Sequence, residues 1–531
     1  MTLTPTLTEP DSAGAGPYHR SRRPAHPLLW VAAVAALAPV VVPFGFLIGR
    51  ALGGGATALD TVLSTRTLEL AINTTTLVLT VATAAAVIGV GAAWLTERTD
   101  LPGRRVWRVL VALPLVLPSY VIALTVISAL GPRGLISDAL GVGMPTIRGF
   151  WGAFWALTVA TYPFVYLIVA SALRRIDPIV EEAGRGLGHS QRAVFFRIVA
   201  PQLRHAIGAG VLLSALYTLS DFGAVSLVGF DSFTRMVYAQ YAGRLDRTPA
   251  IVLALVLVLL AVVVLLLESR IRRGRPFIPR PSNRTPRPAP LTNRQRNLSI
   301  VGLVTLSLLA LVLPVGTLFA WLLRNPAPGG IPWGSLTGSV AVSVLAAIAA
   351  VALAVPVAVL VVRHRNSRSA WIERLSYLAY SVPHITVGLA MVFVASRYLG
   401  SLYQSLFVLV AVYVSVFFAQ ALGAIRSSLA QLSPSLEDAA RSLGRSQLQT
   451  MFKVVIPLMR RGIAAGGLLV FLTTMKELPI TLLLRPTGLN TLAVDVWSTS
   501  GDLLYSAAAV PALLLLAVSA LPTFILATRQ R

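Results

Sequence analysis

The sequence predicts an all-α membrane protein: twelve transmembrane helices arranged as two parallel six-helix repeats. Three observations point there. Of 531 residues, 56% are hydrophobic and only 12% charged, with a mean hydropathy of +0.76; a water-soluble chain of that size needs far more charge to cover its surface. Apolar windows of about 20 residues, the length that crosses a bilayer core, recur along the chain. A charged, amphipathic segment, "EEAGRGLGHSQRAVFFRIVAP" (181–201), returns as "EDAARSLGRSQLQTMFKVVIP" (437–457).

Residues 1–27 read as a polar cytoplasmic tail, with "HRSRRP" just ahead of the first apolar run. That run is longer than the apolar region of roughly 7–15 residues in a secretory signal, so it reads as an uncleaved first span. Windows centred near 39, 82, 118, 161, 216 and 259 make a first half, residues 28–269. Residues 270–297 are rich in Arg and Pro without hydrophobic periodicity, the composition of a flexible cytoplasmic linker. Windows near 310, 349, 384, 413, 473 and 515 make a second half, residues 298–531.

With both termini inside, about ten Arg fall on outward loops and about thirty-four of the 45 Lys and Arg on the cytoplasmic side, a positive-inside distribution. The net charge of +25 is therefore spread as short flanks to apolar runs, the pattern of topology signals and not of nucleic-acid binding. There is no cysteine, which excludes disulfides and thiolate metal sites.

Gly444 lies 256 residues after Gly188, and at the same offset Pro178, Glu181, Ala183, Ser190 and Pro201 recur as Pro434, Glu437, Ala439, Ser446 and Pro457. Outside that window "LPSYVIAL" (117–124) resembles "VPHITVGL" (382–389), and Asp221 falls opposite Glu477. Six spans per half give both halves one orientation, a parallel repeat about an axis along the membrane normal. Within each charged segment, Pro178 or Pro434 suits the first position of a helix capped by Asp177 or Ser433. A glycine turn at Gly188 or Gly444 leads to a second helix capped by Ser190 or Ser446, and Pro201 or Pro457 marks its passage into the next span. Two copies of such an elbow on the cytoplasmic face suit a partner that itself comes as two.

These residues resemble the signature loop of the permease subunits of binding-protein-dependent ABC importers: Glu-Ala-Ala, three residues, Gly, nine residues, Ile-x-Leu-Pro. The first copy has Glu182, Ala183, Gly188, Ile198 and Pro201, with Gly184 and Ala200 as departures. The second has Ala439, Ala440, Gly444 and Pro457, with Asp438, Val454 and Ile456 as departures. The resemblance implies that Glu181, Glu437 and these positions dock two copies of an ATP-hydrolysing subunit, and that an external or periplasmic substrate-binding protein meets the outward loops. It also implies a bacterial cytoplasmic (inner) membrane location, no catalysis by this chain, and no bound cofactor, ATP and Mg being consumed by the partner. "SDFGAVSLVGFDSFTRMVYAQY" (220–241) and "MKELPITLLLRPTGLNTLAVDVW" (475–497) look like segments of double-length ferric-iron importer permeases. Fused permeases for thiamine, and relatives for phosphonates or polyamines, share the architecture.

A secondary facilitator-type transporter is the rival from another class, because "TERTDLPGRRVW" (96–107) resembles a loop of those carriers; they lack the repeated elbow. No GxxxxGK[ST] phosphate-binding motif occurs. Asp221 and Glu477 are the candidate pathway or gate residues, since an ionisable group within a span costs about 2.5–3.5 kcal/mol and faces a cavity or a partner. His384, beside Pro383, is either a kink contact or a substrate contact. If the cargo is Fe(III), hard oxygen donors such as these carboxylates, Tyr120, Tyr162 or Tyr166 suit it, and no stable metal site is expected in a path that must release its cargo. Reporters fused after residues 95, 285, 365 and 530 are expected to read cytoplasm, and reporters near 240 and 495 the outside. An outside signal at 285 breaks the six-plus-six scheme.

Overall fold

In the computed structural model, residues 26–132, 134–141, 147–243, 246–271, 288–324, 330–502 and 504–529 are described, and every regular element among them is a helix. The N-terminal tail and the linker expected over 270–297 fall largely outside these residues. Nine helices among the described residues are long and apolar enough to cross a membrane, and two bent pairs raise the number to eleven. A shorter apolar helix, Tyr505–Ala520, stands where the twelfth window was expected.

The first half runs through Pro27–Leu52, Thr65–Arg98, Ser119–Leu130, Gly149–Arg175, Ala200–Ser220 and Thr248–Ile271. The second runs through Asn293–Arg324, Trp333–Arg363, the pair Ser367–Ser381 and His384–Tyr398, Leu406–Ala430, Arg460–Met475 and Tyr505–Arg529. The third and ninth windows are not continuous helices. Residues before a proline are pushed into extended backbone, and Leu117 and Val382 take ψ values of 123° and 138° ahead of Pro118 and Pro383. At the second site the chain turns by 103°.

The cores of the halves exchange their first spans. Ala33, Ala36 and Val40 of the first span are buried with Val357, Leu389 and Val412 of the second half. Leu303 and Ala310 of the seventh span join the core of the first half, with Leu157 and Val165. A strap accompanies this exchange. The Ala289 amide donates to the Arg98 carbonyl (2.8 Å), the Asp100 amide donates to the Ala289 carbonyl (3.2 Å), and Arg296 pairs with Asp100 at 3.2 Å. The facilitator-like loop thus receives the end of the inter-half connection.

Lipid gives helices no hydrophobic reason to associate, so small residues and close packing do the work. In the first half the second, fourth and fifth spans meet at Val165: a β-carbon on Gly89 would lie 2.7 Å from Val165 Cβ, and one on Gly210 2.8 Å from its Cα. The corresponding trio in the second half is Ala354, Ala421 and Gly466, where a β-carbon on Gly466 would lie 3.1 Å from Ala421 Cα. The volume is shared differently, Gly–Val–Gly against Ala–Ala–Gly. Gly89→Ala is therefore expected to cost about 1–3 kcal/mol through overpacking, read as a lower midpoint of thermal inactivation in detergent. Adding Val165→Ala, which copies the second-half trio, should recover most of the loss; an unchanged midpoint for Gly89→Ala alone contradicts this packing.

Candidate functional site

The two elbows are near copies. Helix Pro178–Gly186 starts where Asp177 accepts the Ile179 amide at 3.1 Å, and Pro434–Ser442 starts where Ser433 accepts the Ser435 amide at 3.3 Å. Both end in a glycine with φ +82°, Gly188 and Gly444, a conformation that costs a side-chain-bearing residue but not glycine. Each second helix begins as Gln191–Val194 or Gln447–Thr450 and widens to a π-turn, Phe195–Val199 or Met451–Val455. The cause is the proline two residues on: Pro201 and Pro457 have no N–H and crowd the carbonyl four residues back, and a wider turn relieves this.

Glu182, Ala183, Asp438 and Ala439 are exposed, as are Leu187, Leu443, Phe196 and Phe452, which gives each elbow an uncovered apolar and acidic face. The departures from the signature compensate one another. A β-carbon on Gly184 would lie 2.4 Å from Ile198 Cδ1; the second elbow carries Ala440 at that position and Val454, one methyl shorter, opposite it.

The inner acid of each elbow is held by an arginine that sequence reasoning missed. Arg98 pairs with Glu181 at 3.2 Å and donates to the Leu173 and Ile176 carbonyls at 2.6 and 3.0 Å. Arg363 pairs with Glu437 at 2.8 Å and donates to the Leu432 carbonyl at 3.1 Å. The first pair is buried and the second half-buried. Burial pushes the Glu181 carboxyl above its usual range, and the Arg98 guanidinium partly offsets this.

Within the membrane Asp221 and Glu477 sit where the fifth and eleventh helices stop, at Ser220 and Met475. Each carboxylate caps the short helix that follows, Gly223–Leu227 or Pro479–Leu484. Asp221 Oδ1 accepts the Ala224 amide at 2.9 Å, and Glu477 Oε1 accepts the Ile480 amide at 3.1 Å. The backbone carbonyls of the same two residues accept the hydroxyls of Thr234 (2.6 Å) and Thr481 (2.8 Å). The second carboxylate oxygens reach across to the broken third and ninth spans. Ser119 donates to Asp221 Oδ2, and His384 Nδ1 lies 2.8 Å from Glu477 Oε2.

Ser119 and His384 are equivalent, each following the proline that breaks its span. They are 265 residues apart, as are Arg98 and Arg363, whereas the elbows are 256 apart. The difference of nine residues falls between the third and fourth spans, where the first half is longer. The resemblance of 117–124 to 382–389 was the available signal for this second offset.

Tyr120 packs at Gly223, where a β-carbon would lie 2.8 Å from Tyr120 Cβ, and it is within electrostatic range of Glu477 in the other half. Phe222 lies tilted against Trp497 (6.1 Å between ring centres), and Lys476 donates to the Leu115 carbonyl at 3.3 Å. These contacts form a seam between the halves beside both acids. Tyr162 and Tyr166 lie apart from it in the first-half core, the Tyr166 hydroxyl 3.3 Å from Thr96 Oγ1. Among the described residues no three His, Asp or Glu converge as a metal site.

The family model of the binding-protein-dependent transport system inner membrane component matches residues 85–274 and again residues 350–530. The Fe(3+)-transport system permease protein FbpB 2 of Haemophilus influenzae is 31% identical over 514 residues, covering 95% of this chain and 99% of that protein. Shorter similarities join one stretch of the chain to the sulfate transport system permease protein CysW of Synechocystis, 28% identical over 34% of this chain and 70% of CysW. The molybdenum transport system permease protein ModB of Escherichia coli is 33% identical over 26% of this chain and 60% of ModB. The chain is a multi-pass permease that belongs to the family of binding-protein-dependent transport system inner membrane components, in a double-length form that carries the family domain twice.

Proposed function

We propose that this chain forms the whole translocation pathway of an ATP-driven importer for Fe(III). Two ATPase subunits sit on the elbows 178–201 and 434–457, a substrate-binding protein delivers cargo from outside, and both termini are cytoplasmic. The observation that carries the iron reading is the near full-length similarity to an Fe(3+)-transport permease, 31% identical over 95% of the chain. The twofold partner is supported by two elbows whose first helices are each capped by a side chain, Asp177 or Ser433, with the same left-handed glycine and the same exposed Leu and Phe.

ATP binding favours the state in which the ATPase dimer is closed, and the elbows follow it because their inner acids are fastened to the second and eighth spans by Arg98 and Arg363. The halves then move as rigid bodies and switch access from one side to the other. Asp221 and Glu477 belong to the gate in this scheme, as residues that hold its shape: every carboxylate oxygen is already engaged by a hydroxyl, an imidazole or a backbone amide.

Reconstitution in proteoliposomes with the ATPase and the iron-loaded binding protein tests both parts. Gly188→Val with Gly444→Val should insert normally and lose uptake by about tenfold or more, because a β-branched residue resists positive φ. Normal ATP-dependent uptake by that double variant removes the coupling role. For the gate, Asp221→Asn keeps the capping acceptor and should hold uptake within about twofold, whereas Asp221→Ala should cost about 1 kcal/mol of stability and most of the uptake. Equal loss in the Asn and Ala variants would instead assign the charge of Asp221 to the cargo.

A further inference from the structure

Lys476 is one of two lysines in a chain whose other cationic residues are arginine. It closes the eleventh helix directly before Glu477, half-buried, and its ammonium reaches from the second half to the Leu115 carbonyl of the first. Among the described residues that carbonyl is its single hydrogen-bond partner, and no carboxylate pairs with it. Glu477, its neighbour, is turned to His384 and the Ile480 amide, and Asp221 to Ser119 and the Ala224 amide. Both acids of the seam are thus committed to the protein's own backbone and side chains, and the charge left without a counter-charge is positive. At the equivalent position of the first half stands Ser220, so the ammonium is not required by the repeat.

An ionisable group retained within a span marks a path or a partner, and this one bridges the two bodies between which cargo passes. A bare trivalent cation meeting it would be repelled three times as strongly as a monovalent ion at the same distance. We propose that Lys476 selects cargo by charge, so that Fe(III) crosses the seam with anionic oxygen ligands turned toward the ammonium and not as a naked ion. The inference rests on the iron reading above. It reverses the role expected of the acids: they build the gate, and the lysine meets the cargo.

The test is the sign of the effect in proteoliposomes holding the full chain, its ATPase and the binding protein loaded with radioactive Fe(III). Lys476→Gln keeps a donor for the Leu115 carbonyl and removes the charge; Lys476→Arg keeps the charge. The expected result is a fall of about tenfold in ATP-driven iron uptake for the Gln variant and uptake near wild type for Arg, with ATPase assembly unchanged in both. Faster uptake by the Gln variant means that the ion passes bare and overturns the proposal. Equal uptake by all three forms reduces Lys476 to a hydrogen bond between halves and overturns it as well. Absence of iron uptake by the wild-type chain, with the ATPase active, is a separate result: it removes the iron reading first and this inference with it.

Discussion

The molecule depends on how it satisfies backbone that has been broken inside a membrane. Hydrocarbon offers no hydrogen bonds, so each interrupted helix must find partners within the protein. The fifth and eleventh helices stop at Ser220 and Met475, and one and two residues on stands an acid, Asp221 or Glu477, whose carboxylate receives an amide of the following short helix. The acid also ties that helix to the broken third or ninth span, through Ser119 in one half and His384 in the other. One carboxylate therefore joins three helices into one unit, and the arrangement occurs twice. Around these units lie the groups that cross between the halves, Tyr120, Phe222, Trp497 and Lys476.

The same logic of fastening by a single charged group operates at the elbows, with less symmetry. Arg98 holds Glu181 by its side chain and the end of the inter-half connection by its carbonyl, at Ala289. Arg363 holds Glu437 and the Leu432 carbonyl, at a half-buried site. Removing one partner of a buried ion pair is strongly destabilising because the other charge is left without compensation, so loss of Arg98 should cost more than loss of Arg363. Neighbouring charges are redistributed too. Glu97 pairs with Arg108 and Arg174 in the first half, whereas in the second Glu373, at the position of Arg108, pairs with Arg426.

Much of this was legible in the sequence, and the boundary has a physical basis. Span positions, the parallel repeat and the elbows follow from local signals: apolar length, a proline after a capping residue, glycine where φ must be positive. Asp221 and Glu477 stood out because charge is rare in a span, but their work as caps did not, since it depends on where the helix stops. Arg98 and Arg363 were hidden among the many arginines that flank the apolar runs, and the tyrosines 162 and 166 drew attention by chemistry although packing places them in the first-half core. The pairing of Ser119 with His384 was hidden by nine extra residues that shift the repeat from one offset to another. The exchange of first spans between the cores left no sequence signal at all, because an apolar helix looks alike whichever half it packs against.

The central claim is that the two elbows move as the ends of two rigid bodies driven by a twofold partner. Because the chain has no cysteine, spin labels can be placed on Leu187→Cys and Leu443→Cys, both fully exposed, without further changes. The distance between them, measured by pulsed electron resonance in the assembled transporter, should shorten on trapping with ATP relative to the nucleotide-free state. Labels placed within one half should keep their separation. A distance between the elbows that stays constant across both states, in a complex that hydrolyses ATP, contradicts the account.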